Sequence, residues 1–268
     1  MQTRLTNTPK DYLKHNLRDL PYFRALLRAV ESRFYQNLEF NNPTLDLGTG
    51  DGHFANSTFT KKINFGIDPN LLSLMEAKKV DAYDFLINAS GAEIPVSSNH
   101  FKTVVSNSVL EHIFDVDLVL KELNRVTKAD GFFYFSVPNQ NFSKNLSIAR
   151  IFEVIHLNKL ADLYRKLFNY ISRHYHCLSQ EEWKNKLAAN GFKVIKCWNF
   201  FSINSLAVLE WGHYVGLPYL ISKKILNQWV LFPELNQTLI YECLKRSYFE
   251  QPICDEGAYT FYICQKFQ

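Results

Sequence analysis

A short apolar stretch, Thr44-Leu45-Asp46-Leu47, runs directly into Gly48-Thr49-Gly50-Asp51-Gly52. Glycines at three alternate positions after a strand let the backbone turn tightly and approach a ligand with no Cβ in the way. In an open α/β sheet, ligands bind in the crevice beyond the carboxyl ends of the strands. This loop therefore constrains both the architecture and the place to look for chemistry.

The rest of the chain supports such a sheet. Strand patterns at 63–67, 84–88, 103–107 and 132–137 alternate with helical patterns at 53–60, 70–79 and 115–127. Alternation of this kind predicts a doubly wound α/β fold, mostly parallel, with helices on both faces. A helix opens at Ser179, where Ser179 and Glu182 form a capping-box pattern, and it stops at Gly191. Strands follow at 192–198 and 257–264, the last expected to run antiparallel. Upstream, Phe23, Leu26, Leu27, Val30, Phe34 and Leu38 recur at helical spacing. Residues 1–20 read as a loose polar arm. The chain is thus expected to hold an arm and helix over 1–40 and one domain over 41–268. Cap insertions are expected at about 140–178 and 200–256, the second largely irregular and aromatic.

The spacing of the loop discriminates among ligands. A dinucleotide fingerprint would place a third glycine at position 53, which is His53. This weighs against a nicotinamide-dependent oxidoreductase. Asp46, two residues before the first glycine, suits a cationic ligand end better than a pyrophosphate. Asp68 closes the second strand, where a carboxylate can accept hydrogen bonds from both hydroxyls of a ribose, or alternatively cap the next helix.

At these residues the sequence resembles the class I S-adenosylmethionine-dependent methyltransferases. Leu45 to Gly52 resembles their first motif and Gly66-Ile67-Asp68-Pro69 their second. The run Phe101-Lys102-Thr103-Val104-Val105-Ser106-Asn107-Ser108-Val109-Leu110-Glu111-His112-Ile113 resembles the stretch through strand four. The resemblance is closest over 40–140. It implies a Rossmann-like sheet and S-adenosyl-L-methionine as cofactor, contacted by Asp46, Gly48, Thr49, Gly50, Gly52, Asp68, Asn88, Ala89 and Asn107. Asn88-Ala89 stands where the family often has an acid followed by a small residue. The implied reaction is in-line methyl transfer to a small-molecule acceptor. The alternative is a methyltransferase-like binding module without turnover.

If the acceptor must lose a proton, His112 and His174 are the candidate bases; each could equally be a packing residue. The aromatic richness of both insertions points to a hydrophobic, aromatic or lipid-linked acceptor. Nucleic acid is disfavoured, because Ser106-Asn107-Ser108-Val109 lacks the proline-containing segment of base-methylating enzymes. Residues 203–233 combine Trp211, Tyr214, Tyr219, Trp229 and the Lys223-Lys224 pair. They read as a cap helix region or as a peripheral membrane contact.

The formal charge of +4 is too dispersed for a dedicated nucleic-acid binder. Five cysteines, an odd number without a C-x-x-C pair, argue against a disulfide framework or zinc centre, and no metal is expected. With no apolar leader pattern, the expected location is the cytoplasm or the inner face of a membrane.

Overall fold

The computed structural model of the protein describes residues 10–226 and 228–267. Two helices come first, α1 (Tyr12–Asn16) and α2 (Tyr22–Tyr35). Then β1 (Thr44–Leu47), α3 (His53–Thr58), β2 (Ile63–Asp68), α4 (Leu71–Val80), β3 (Tyr83–Asn88), β4 (Phe101–Asn107), α5 (Val116–Val126) and β5 (Thr127–Pro138) alternate as the patterning requires. A helical segment of α6 (Gln140–Lys144), α7 (Ser147–Val154) and α8 (Asn158–Ser172) precedes α9 (Gln180–Ala189) and β6 (Phe192–Phe200). A second segment, α10 (Ile203–Val215), α11 (Leu217–Leu226), α12 (Pro233–Leu235) and α13 (Tyr241–Phe249), leads to β7 (Tyr259–Lys266).

The seven strands pair in the order β3-β2-β1-β4-β5-β7-β6. Pairing is parallel from β3 to β5, and β7 is antiparallel to both of its neighbours. Strand order reverses direction between β1 and β4, so a crevice opens where their carboxyl ends part. Successive residues feed opposite faces of the sheet. Val104, Phe133, Phe135 and Tyr262 pack under α5 and α9, whereas Val105, Tyr134 and Phe261 pack under α2 and α3. The capping box at Ser179 forms, with Ser179 Oγ accepting from Glu182 N and Glu182 returning to Ser179 N.

Two expectations need correction. Residues 11–20 are not a loose arm, since α1 buries Tyr12 and Leu13, and Leu17 and Leu20 are buried after it. These four apolar side chains are spaced to cover α2 and α13, and the polar letters between them concealed the pattern. Residues 1–9 lie outside the described residues. The 200–256 segment is not irregular but mostly helical. Its aromatic residues obscured the 3.6-residue period because they occupy both its packed and its exposed faces. Among the described residues, no helix is long and apolar enough to cross a membrane.

Candidate active site

The glycine loop is held against the neighbouring strand. Gly48 N and Thr49 N both donate to Ile67 O, at 2.8 and 3.1 Å. Gly48 has φ +79°, in the left-handed region that favours glycine, and a Cβ there would meet Val109 methyls at 2.4 and 2.5 Å. The turn and the segment after β4 are thus in backbone-to-side-chain contact that any larger residue would disrupt. Gly52, at φ +76°, starts α3.

Beyond this turn lies a cavity of about 340 Å³. Asp46, Gly48, Thr49, Gly50 and Asp51 form its floor, Asn107, Ser108 and Val109 one wall, and α2 another through Arg24 and Arg28. Lys223 and Trp229 of the second helical segment cover it. Asp68 points at the loop: its Oδ2 accepts from Gly50 N at 2.9 Å and its Oδ1 from Asn70 N at 2.8 Å. A carboxylate has about four lone-pair sites, so acceptor capacity remains, although Asp68 itself is not among the residues lining the cavity. Asp46 is 5% exposed and accepts from Tyr83 OH at 2.5 Å. Burial raises its carboxyl to about 6, against the opposing pull of Tyr83.

Other expected contacts fall differently. Thr49 lines the cavity, but its hydroxyl donates to Ile67 O at 3.1 Å. Asn88 and Ala89 open onto a neighbouring hollow with Ser90, Glu93 and Arg125. The Asn88 amide donates to Asp68 O and Pro69 O, leaving its own carbonyl oxygen as its free recognition group. Asn107 lines the cavity with its side chain turned into the protein. Its Nδ2 donates to Glu31 Oε2 at 2.7 Å, and its Oδ1 accepts from Tyr35 OH at 3.3 Å and lies 3.0 Å from Ser136 Oγ.

Glu31 is one residue the sequence reading missed. It is fully buried on α2 and accepts from Arg28 at 2.9 Å, Ser108 Oγ at 2.8 Å and Ser136 Oγ at 2.8 Å. The signal was present: Glu31 lies four residues after Leu27, inside the apolar stripe of its helix. A carboxylate there must find partners, because burying it bare costs too much. Arg24 was missed too. Its guanidinium sits over the Trp229 ring at 5.1 Å, with no acid in ion-pair range among the described residues.

His112 and His174 come together, their ring centroids 5.4 Å apart, just past the Ser108-Val109 wall and outside the cavity lining. His112 Nδ1 lies 3.1 Å from Arg173 O. Donation of an Nδ1 proton to that carbonyl leaves Nε2 as the basic atom. That Nε2 is 3.8 Å from Glu111 Oε1. Burial depresses His174 to about 3, so it is a neutral imidazole. Glu111 is 1% exposed, its Oε2 has no partner, and burial pushes its carboxyl up to about 8. One ligand atom from each of these three residues lies within 4.8 Å of the others. Zinc bonds of about 2.0 Å would need tighter convergence, and the Arg28 charge already bears on Glu111. The trio is better suited to holding a proton.

The raised Glu111 carboxyl has a measurable consequence. A folded value near 8 against an ordinary 4.5 means that folding takes up a proton between those limits. The associated stability is complete below pH 4.5 and is lost as pH climbs through about 8. Glu111→Gln is expected to remove this loss, worth roughly 2–5 kcal/mol by pH 9. Thermal melts from pH 5 to pH 9 check it: the wild-type midpoint should fall away from that of the variant, and parallel profiles would refute the assignment.

The residues present fit the implied methyl donor. A glycine loop and Asp46 lining the cavity, with Asp68 bonded to that loop at Gly50 N, are groups that suit its nucleoside and amino-acid ends. Comparison with known proteins agrees. A family model described as a methyltransferase domain matches residues 14–197. A malonyl-[acyl-carrier protein] O-methyltransferase of Legionella pneumophila is 25% identical over 149 residues, covering 51% of this chain and 52% of that protein. The chain spans about half or less of the length of the first curated relatives it matches. Among solved structures, a possible histamine N-methyltransferase of Thermotoga maritima aligns with TM-score 0.54 at 16% identity, covering 92% of this chain and 91% of that one. A phosphoethanolamine N-methyltransferase of Haemonchus contortus, solved with S-adenosylhomocysteine, aligns with TM-score 0.51 at 18% identity, covering 93% of this chain and 54% of that one. With the family model matching well over half of the sequence, the chain belongs to the S-adenosylmethionine-dependent class I methyltransferase family.

Proposed function

We propose that this protein transfers a methyl group from S-adenosylmethionine to an apolar or lipid-linked small molecule in the cavity between β1, β4 and α2. The observation that carries the proposal is the glycine turn opening on a cavity lined by Asp46, with Asp68 bonded to the turn at Gly50 N. When bound, the donor supplies a methyl carbon already activated by a positive sulfur. Asp68 would take the ribose hydroxyls, and Asp46, ionised above about 6, would face the ammonium end. Gly48, Thr49, Gly50 and Gly52 would let the chain lie close to the donor, with Asn88 and Ala89 reached by its base. Asn107 would serve by shaping the wall rather than by a side-chain hydrogen bond. Arg24, lacking an acid partner, would meet the donor carboxylate or an acidic group of the acceptor.

In the transfer, the acceptor lone pair forms the new bond to carbon as the carbon–sulfur bond breaks, and that pair returns to sulfur as a neutral thioether. The protein's part is alignment and exclusion of water, and positioning alone offers about 7–11 kcal/mol. If the acceptor is a hydroxyl, its proton would pass to His112 Nε2 only where the acceptor extends past the Ser108-Val109 wall, since neither His112 nor His174 lines the cavity. The apolar acceptor class rests on the aromatic richness of the two helical segments, of which Trp229 reaches the cavity; the rest of the lining is rich in charged groups, Arg24, Arg28, Asp51 and Glu76 among them.

The test is incubation with methyl-labelled donor and fractionated lipid and small-molecule extracts. Label should appear in apolar products. Label confined to polar soluble acceptors would overturn the acceptor class. Calorimetric donor binding with no transfer to any fraction would instead favour a binding module.

A further inference from the structure

The hairpin of α7 and α8 carries apolar side chains beyond those that its packing buries. On α8, Ala161, Tyr164 and Phe168 are buried against the protein. The adjoining stripe of Leu160, Leu163, Leu167 and Ile171 is exposed, with Leu163 at 62%, and Tyr170 beside it is 82% exposed. Ile151 and Val154 on α7, with Ile155 just after it, continue this surface, and α7 packs along α8. An exposed apolar face of this extent marks an interaction site.

Charge identifies what would cover it. Residues 144–173 hold six Lys and Arg side chains against Glu153 and Asp162, a net +4 that equals the charge of the whole chain. Both acids are taken by Arg165, at 2.6 and 3.1 Å. The other five cations have no ion-pair partner among the described residues. Lys159 and Lys166 border the exposed stripe of α8, where long stems can lie on apolar surface with the ammonium outside it. At the edge of the hairpin, Trp211 Nε1 donates to Ser147 Oγ and Tyr214 OH to Tyr164 OH, both at 3.0 Å. Trp and Tyr favour the headgroup layer. Two copies meeting through this face would oppose like charges.

We propose that the α7–α8 hairpin docks on an anionic phospholipid bilayer, its exposed stripe in the headgroup layer and its cations on the lipid phosphates. Apolar burial and attraction to anionic lipid together set the strength of such binding. The hairpin ends at Arg173, the residue after α8, whose carbonyl oxygen lies 3.1 Å from His112 Nδ1. Docking would therefore bring the membrane near the acceptor side. The surface does not depend on the transfer reaction.

The experiment is co-sedimentation of the full chain with phosphatidylcholine vesicles, with and without one-quarter phosphatidylglycerol. Anionic lipid should raise partitioning about tenfold or more at low salt, and added salt should lower it. Leu163→Asp/Leu167→Asp should reduce binding by about tenfold or more, and Lys159→Glu/Lys166→Glu should abolish the preference for anionic vesicles. Donor affinity by calorimetry and the melting midpoint should stay unchanged in both. Failure to sediment with anionic vesicles, or binding indifferent to both variants, would overturn the proposal. So would self-association or capture by an acidic protein through this face without vesicle binding. Vesicle binding in a protein that ignores the methyl donor would sink the transfer reading and leave the membrane surface standing.

Discussion

Gly48→Ala is expected to remove measurable donor binding and to lower stability by about 2–5 kcal/mol. Two costs add. A left-handed backbone costs a non-glycine residue roughly 1–2 kcal/mol, and Gly48 sits at φ +79°. A methyl at that position would stand 2.4 Å from a Val109 methyl, and such overpacking costs about 1–3 kcal/mol. Relief of the overlap pushes the loop or the β4 segment outward, and both line the cavity. Calorimetric titration with S-adenosylmethionine should show affinity reduced at least ~100-fold. Gly48→Ala/Val109→Ala should regain the overpacking share of stability but not the backbone share. Wild-type affinity in the single variant would remove the loop from the donor site.

Asp68→Ala should weaken donor binding by about 10²–10⁴-fold, the worth of two charge-assisted hydrogen bonds at roughly 1.5–3 kcal/mol each. The carboxylate also accepts from Gly50 N and Asn70 N, so loss of affinity alone would not separate ribose contact from loop shape. A 2′-deoxyribose analogue of S-adenosylhomocysteine makes the distinction. Wild type should lose affinity on removal of the hydroxyl, whereas Asp68→Ala should treat both ligands alike. An equal penalty in both proteins would assign Asp68 to loop support only.

The strands and helices from 44 to 138 were readable because each depends on its own few residues. Alternating apolar positions, Gly48 to Gly52 and the Ser179-Glu182 cap act within one turn or strand. The site was half readable for the same reason. Asp46 and Asp68 are marked by their places at strand ends; Asp46 lines the cavity, whereas Asp68 bonds to Gly50 N of the loop and is not in the lining. Arg24, Arg28 and Glu31 were not marked, because their helix read as packing. Asn107 shows the converse: a strand-end position predicted contact, but Glu31, distant in sequence, claims its amide.

From its order of residues alone, this chain determined a layered α/β sheet with a nucleoside-sized turn after its first strand. That information is local, carried by backbone freedom at glycine and by the period of apolar side chains. Tertiary structure alone decided which polar groups remain free for a ligand. Desolvation lifted Asp46 and Glu111, and Glu31 consumed Asn107. Docking of α2 left Arg24 facing the cavity. These outcomes depend on burial and on partners many residues apart, which no local pattern records.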